Sequence, residues 1–269
     1  MSMEALAVAA VLAAVCAAVP SSGGAQGRDV RPLEATNDFG FRLYTALAGS
    51  NAEPNLIVSP VSVQLALAMV WNGAAGEARD AMGRVLGYGA LRSDDVNTAN
   101  ARTQAMLQDA AAGVRTDIAN GLWGRAGVEF DPGFLAQMRD AYAAMIDALD
   151  FGAPESAEVI NGWVGRKTQG KIRELVDAPS IRDAMMVLVN ALYFHGRWTE
   201  PFPKAATRSR PFALLGGGRR DVAMMEARRT FRYLRNDMLQ AVRLPFGPRE
   251  QAALYVLLPH PGRFEELAR

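Results

Sequence analysis

Through most of the first half of the chain, apolar residues recur at three- and four-residue spacings; in the second half they alternate or run together. The first pattern predicts helices with one buried face, the second predicts strands. In "NDFGFRLYTALAGS", Phe39, Leu43, Tyr44 and Leu47 share a helical face that Gly49 stops. Ser59 followed by Pro60 opens another helix, because the serine can cap the orphan N–H groups and proline has none to satisfy. Its body, Val61 to Val70, is apolar nearly all round, which places it inside the domain and not on the surface.

Residues 76–87 and 93–111 read as two further helices, the second with Ser93 as its cap. "VRTDIANGLWGR" carries strand formers; a helix follows from Asp131 to about Met145 with Pro132 in its first turn, then a short strand, Ile146 to Phe151. "ESAEVINGWVGRKTQG" sets Ile160, Trp163, Val164 and Lys167 on one stripe and ends at Gly170. "VLVNALYFHGRWTEPF", Val187 to Phe202, reads as one apolar strand with Asn190 in its middle and Tyr193, Phe194, Trp198 and Phe202 crowded at its far end. Beyond it come a hairpin around Gly216 to Gly218, three successive strands, and a helix opening after Gly262. Helices first and strands later predict an α+β domain.

Composition narrows the function. The 269 residues are half hydrophobic, enough for one large core or two small ones, and a net charge of +1 gives no global field toward nucleic acid. Charge is nevertheless uneven. Arg197 to Arg249 holds twelve Lys/Arg against four Asp/Glu, a local +8. Within it Arg228, Arg229 and Arg232 form the candidate polyanion-binding face. The apolar run Ala5 to Val19 has the length of a signal-peptide core and is too short for a usual membrane span, although "MSME" lacks the customary positive charge. Residues 1–25 are therefore expected to be a secretory signal peptide, cleaved after Ala18 or Ala25, and removal would take the only cysteine, Cys16, with it. An enzyme reading finds little material: two histidines, His195 and His260, and no metal-ligand, nucleophile-elbow or phosphate-loop spacing. The sequence predicts no enzyme, no cofactor and no metal.

Two long stretches carry a resemblance. "NLIVSPVSVQLALAMVWNGAAGEA", Asn55 to Ala78, and "VLVNALYFHGRWTEPF" resemble the buried helix and the long third main-sheet strand of the serpin (serine protease inhibitor) family. "ANGLW" (Ala119 to Trp123), "INGWVGRKTQGKI" (Ile160 to Ile172), Met224–Met225 and "LPF" (Leu244 to Phe246) match in type and order. The resemblance implies N-terminal helices with a large mixed main sheet and a second antiparallel sheet, residues 26–269 forming a serpin domain that lacks the reactive loop and the C-terminal strands. It implies that Ser59, Ser62 and Asn190 belong to the shutter beneath the point where the main sheet parts, and that Trp198 is the breach tryptophan where insertion begins. Physically, Asn190 needs partners for its amide, and the serine hydroxyls below it are the expected ones.

The activity implied is inhibition of a serine protease: the protease cleaves an exposed loop, forms an acyl-enzyme, and the loop inserts as a new strand, releasing a metastable fold. A non-inhibitory serpin, a carrier or chaperone, and a truncated non-functional product are the alternatives. The 269 residues alone are expected to be inactive, poorly stable and prone to aggregate, since the long strand keeps an open edge.

Overall fold

A computed structural model describes residues 10–12, 30–50, 56–109, 113–214 and 217–268. Most of the candidate signal peptide, Cys16 included, lies outside them. The fold is α+β, with helices gathered against a mixed sheet and an antiparallel sheet beside it.

Helix α1 (Val30–Ser50) presents Phe39 and Leu43 to the core, as the spacing predicts, and runs one residue past Gly49. Helix α2 (Pro60–Gly73) begins where Ser59 caps it, the serine oxygen accepting from the Ser62 amide at 3.4 Å. It buries Gln64, Leu65, Ala68, Met69 and Trp71 but leaves Val70 36% exposed, so the helix lies along the core with one side at the surface, not wholly inside. Helix α3 (Gly76–Leu86) ends at Gly87, whose φ of 73° continues the chain into the left-handed turn that glycine tolerates. Helix α4 (Ser93–Gln108) is entered from Arg92; Ser93 is not its cap, because its hydroxyl accepts from Arg79 at 2.6 Å instead.

Strand β2 (Val114–Arg125) is central. The first strand, β1 (Ala10–Leu12), belongs to the other sheet. Helix α5 (Pro132–Tyr142), capped by Asp131, stops three residues earlier than the pattern predicts because Ala143 turns left-handed at φ 48°. Strand β3 (Met145–Leu149) then runs parallel to β2, and helix α6 (Glu155–Lys167) crosses the sheet. The Gly170 amide closes the end of α6 on the Gly165 carbonyl at 2.8 Å. After the short helix α7 (Ala178–Ile181), strand β4 (Met186–Gly196) pairs antiparallel with β2 along its whole length, giving the order β3-β2-β4.

Side-chain alternation along β2 and β4 divides the core in two. Leu122 and Leu188 face α1 to α5 and join a cluster with Leu65, Met69 and Tyr142. Trp123, Val189 and Ala191 face the other way and join Ile160, Trp163 and Val164 of α6. Trp123 and Trp163 meet edge to face at 5.3 Å, and the bare α-carbon of Gly121 makes room for them: a Cβ there would lie 2.6 Å from the Trp123 ring.

The expected strand from Val187 to Phe202 is shorter in fact. It ends at Gly196, where a Cβ would meet the Phe246 ring at 2.6 Å, and the chain turns away so that Trp198 makes a single bridge to Phe246. A hairpin follows, β5 (Arg208–Ala213) with β6 (Arg219–Met224), and then β7 (Arg232–Arg235), β8 (Leu239–Phe246) and β9 (Ala252–Pro259), successive antiparallel neighbours as the sequence predicts. β1 lies on the far edge of β9, Val11 opposite Val256. Helix α8 (Phe264–Ala268) follows.

Candidate functional site: a polar joint under a sheet edge

Among the described residues β4 has a partner on one side only. Beneath that edge sits Asn190, directly opposite Asn120 in the β2–β4 register, and its Nδ2 donates to Asn120 Oδ1 at 2.8 Å. Asn120, 3% exposed, passes the connection inward, its Nδ2 donating to Gln104 Oε1 at 2.8 Å and to the Tyr142 carbonyl at 2.6 Å. Gln104 in turn donates to the Ala141 carbonyl at 3.1 Å. The Tyr142 hydroxyl donates to Asn97 Oδ1 at 2.8 Å and accepts from Asn100 and Asn72, each at 3.1 Å. A continuous chain of amides thus runs from the edge strand through β2 and α5 to α4 and α2. Burial pushes the Tyr142 and Tyr88 hydroxyls above their usual range, against the lowering effect of the amides around them.

The one gap is on Asn190 itself. Its Oδ1 is buried and has no hydrogen-bond partner in the structure. An unsatisfied buried acceptor costs about 1–3 kcal/mol. It sits in the strand that keeps an open edge.

Ser59 and Ser62 are placed differently from the expectation. The Ser59 hydroxyl donates to Ser62 Oγ at 2.9 Å while capping α2, so the two serines satisfy each other and the amide partner of Asn190 is Asn120. Asn120, Gln104 and Tyr142 are the residues that sequence reasoning missed. A signal for the first was available: an asparagine in the middle of "ANGLW", a run otherwise buried, must pair with something on a neighbouring strand.

Around Trp198 the expected aromatic group forms in part. Trp198 stacks on Phe246 at 4.4 Å, with an interplanar angle of 17°, and meets Phe202 edge to face at 5.7 Å, while Phe194 meets the other side of the group through Phe246 at 5.3 Å. Tyr193 is not in this cluster. It points to the opposite face of the sheet, under the Arg115 guanidinium.

Of the three candidate polyanion contacts, Arg229 is withdrawn from solvent. It lies over Phe202 at 5.0 Å and Phe231 at 5.1 Å and pairs with Glu200 at 3.3 Å, so it belongs to the tryptophan cluster. Arg228 and Arg232 are exposed. His195 is exposed opposite Arg115 in the β2–β4 register, and the His260 ring contacts the Asn236 carbonyl at 2.9 Å.

Comparison with known proteins agrees with this geometry. The sequence profile of the serpin (serine protease inhibitor) family matches residues 34–269. Serpin B9 of Homo sapiens is 35% identical over 233 residues, and serpin-Z7 of Hordeum vulgare is 34% identical over 233. The matched regions cover 85% and 82% of this chain and 61% and 59% of those relatives. The chain therefore spans about three fifths of the length of these relatives. Among solved structures, serpin-12 of Manduca sexta superposes with a TM-score of 0.78 at 29% identity, over 84% of this chain and 63% of its own. Cleaved kallistatin in complex with heparin gives 0.80 at 26%, over 88% and 71%. The helix-to-strand order, the sheet topology and the profile match lead to one conclusion: the chain belongs to the serpin family.

Proposed function

We propose that these residues are the strand-accepting part of a serine protease inhibitor that works by loop insertion. The observation that supports it most is the pairing of an open β4 edge with a buried amide, Asn190, whose Oδ1 has no donor. A strand entering beside β4 would give that edge its missing backbone partners and bring a donor within reach of Oδ1. Ser59, Ser62, Asn190 and Asn120 then form the joint beneath the point of entry, and Trp198, stacked on Phe246 where the sheets meet, marks where entry starts. The order of events follows from the chemistry. A protease serine attacks a loop carbonyl, the peptide breaks to leave an ester between the two proteins, and insertion outruns hydrolysis of that ester.

On this proposal the 269 residues by themselves form no protease complex. Secretion is part of the reading, supported by the apolar run Ala5 to Val19. Among the described residues no helix is long and apolar enough to cross a membrane.

The test is to express the transcript with whatever coding sequence follows Arg269 and mix the product with a panel of serine proteases. A denaturation-resistant adduct with loss of protease activity supports inhibition. Cleavage of the product as an ordinary substrate, with no adduct, points to the carrier or chaperone class. An adduct formed by the 269 residues alone would overturn the assignment of inhibition to residues outside them.

A further inference from the structure

We infer that Arg229 is a positioning residue for Trp198, a role that rests on the proposed entry of a strand there: it holds Phe202 against the tryptophan and latches the point of entry. Two connectors meet at this place. Residues 197–207 lead from β4 to β5, and residues 225–231 lead from β6 to β7. The first is fastened at its start, where the Thr199 amide donates to the Pro245 carbonyl at 3.0 Å and its hydroxyl to the Gly247 carbonyl at 2.5 Å. Beyond it, Glu200, Pro201 and Phe202 form no hydrogen bond with the main chain of another described residue through their own main chain, and neither do Glu226 to Thr230. Side chains join what the backbones leave loose. The Arg229 guanidinium lies over Phe202 at 5.0 Å and over Phe231 at 5.1 Å, and Phe202 meets Trp198 edge to face at 5.7 Å. With Phe246 stacked on Trp198 at 4.4 Å, a row of four rings and one guanidinium runs from the end of β8 to the start of β7.

A surface charge would not be placed this way. The Arg229 side chain is 19% exposed, against 93% for its neighbour Arg228. The acid it meets at 3.3 Å, Glu200, is 69% exposed, so the ion pair is open to solvent and screened by salt. The rings therefore do most of the holding. A guanidinium is planar and weakly hydrated, and it lies on aromatic faces at a smaller cost in lost water than an ammonium. Two such contacts on one cation tie Phe202, on the loose half of the first connector, to Phe231, which leads into β7. A strand that enters beside β4 and starts at Trp198 has to displace this row. Arg229 thereby sets how readily entry begins.

Trp198 reports on its own setting, because Trp71, Trp123 and Trp163 are buried and it alone of the four tryptophans is half-buried. Acrylamide quenching of the 269-residue chain should rise about threefold in Arg229→Met, which keeps the reach of the side chain and removes the cation. Phe231→Leu should give a similar rise, and the two substitutions together no more than either alone, because both break one row. Asp131→Ala, which removes the cap of α5, lowers the urea midpoint and leaves quenching unchanged, so loss of stability by itself is not what the probe reads. Unchanged quenching in Arg229→Met overturns the inference, and so do additive effects of the two substitutions. The second measurement uses the product that continues past Arg269, mixed with an excess of serine protease. Arg229→Met should form the covalent adduct about threefold faster, with loop cleavage at its former rate. An equal rate of adduct formation overturns the latch. Absence of any adduct from the wild-type product is a failure of the proposed function and overturns the role in entry. The quenching series needs no protease and tells that failure apart from a failure of Arg229 to position Trp198.

Discussion

Asn120 and Asn190 show how much of a buried joint depends on which atom finds which partner. Replacing Asn120 by leucine leaves the half-buried Asn190 amide and the buried Gln104 Oε1 without their bonds, so about 2–4 kcal/mol should be lost. Ser62→Ala removes one bond at a half-buried helix start and should cost about 0.5–1.5 kcal/mol. Urea unfolding of the two variants gives the order directly, and a larger loss from Ser62→Ala would mean that the serines, not Asn120, hold the joint. Tyr142 adds a pH dependence. Its folded pKa is raised above the unfolded value near 10, so the native state holds its proton more tightly. The stability this contributes is complete below about pH 10 and is lost as pH rises beyond it. The urea midpoint should fall steeply on the alkaline side, and Tyr142→Phe should flatten that fall while lowering the midpoint at neutral pH. An unchanged alkaline slope would remove Tyr142 from the account.

Helix α6 and the sheet beneath it meet through two tryptophans and a glycine. Because a Cβ at Gly121 would press into the Trp123 ring at 2.6 Å and lie 3.3 Å from the Trp163 ring, Gly121→Ala should force the two elements apart at a cost of about 1–3 kcal/mol. Near-ultraviolet circular dichroism reads the tryptophan pair and should lose intensity. A spectrum identical to wild type would mean that the ring moves aside freely. The sequence announced α6 through its apolar stripe and its terminal glycine, both local features. It did not announce Gly121 as the place where the helix seats, since that depends on strand register and on a helix some forty residues later.

Across the whole molecule the strands differ in how well their backbones are covered. Among the described residues β2 has neighbours on both sides from Gly121 to Gly124, whereas β4 has only β2. Hydrogen exchange should therefore find Gly121 to Gly124 among the slowest amides, with alternate amides of β4 exchanging far faster. Uniform protection along β4 would show that something covers its edge in solution. The same open edge favours association, so the apparent mass in sedimentation should rise with protein concentration. β9 belongs to this argument as well: cleavage of residues 1–25, if they are a signal peptide, would take β1 from β9 and open a second strand edge while β8 stays paired on the other side.

The helices, the hairpin and the antiparallel run of β7, β8 and β9 are legible in the sequence because they rest on period, capping and turn chemistry within a few residues of each other. So is the family, because its motifs are long and occur in order. The sequence also marks Asn190 as a buried amide and Trp198 as the centre of an aromatic group. Ends of elements were less legible: α5 stops at Tyr142 because Ala143 adopts a left-handed turn, and β4 stops at Gly196, whose bare α-carbon lies against the Phe246 ring. What only the tertiary structure decided is partnership. Asn120 and not a serine meets Asn190, Arg229 lies over two aromatic rings while Arg208 and Arg220 remain exposed, and Tyr193 turns away from Trp198. Each of these follows from strand register and from packing between residues far apart in the chain, contacts that local pattern does not encode.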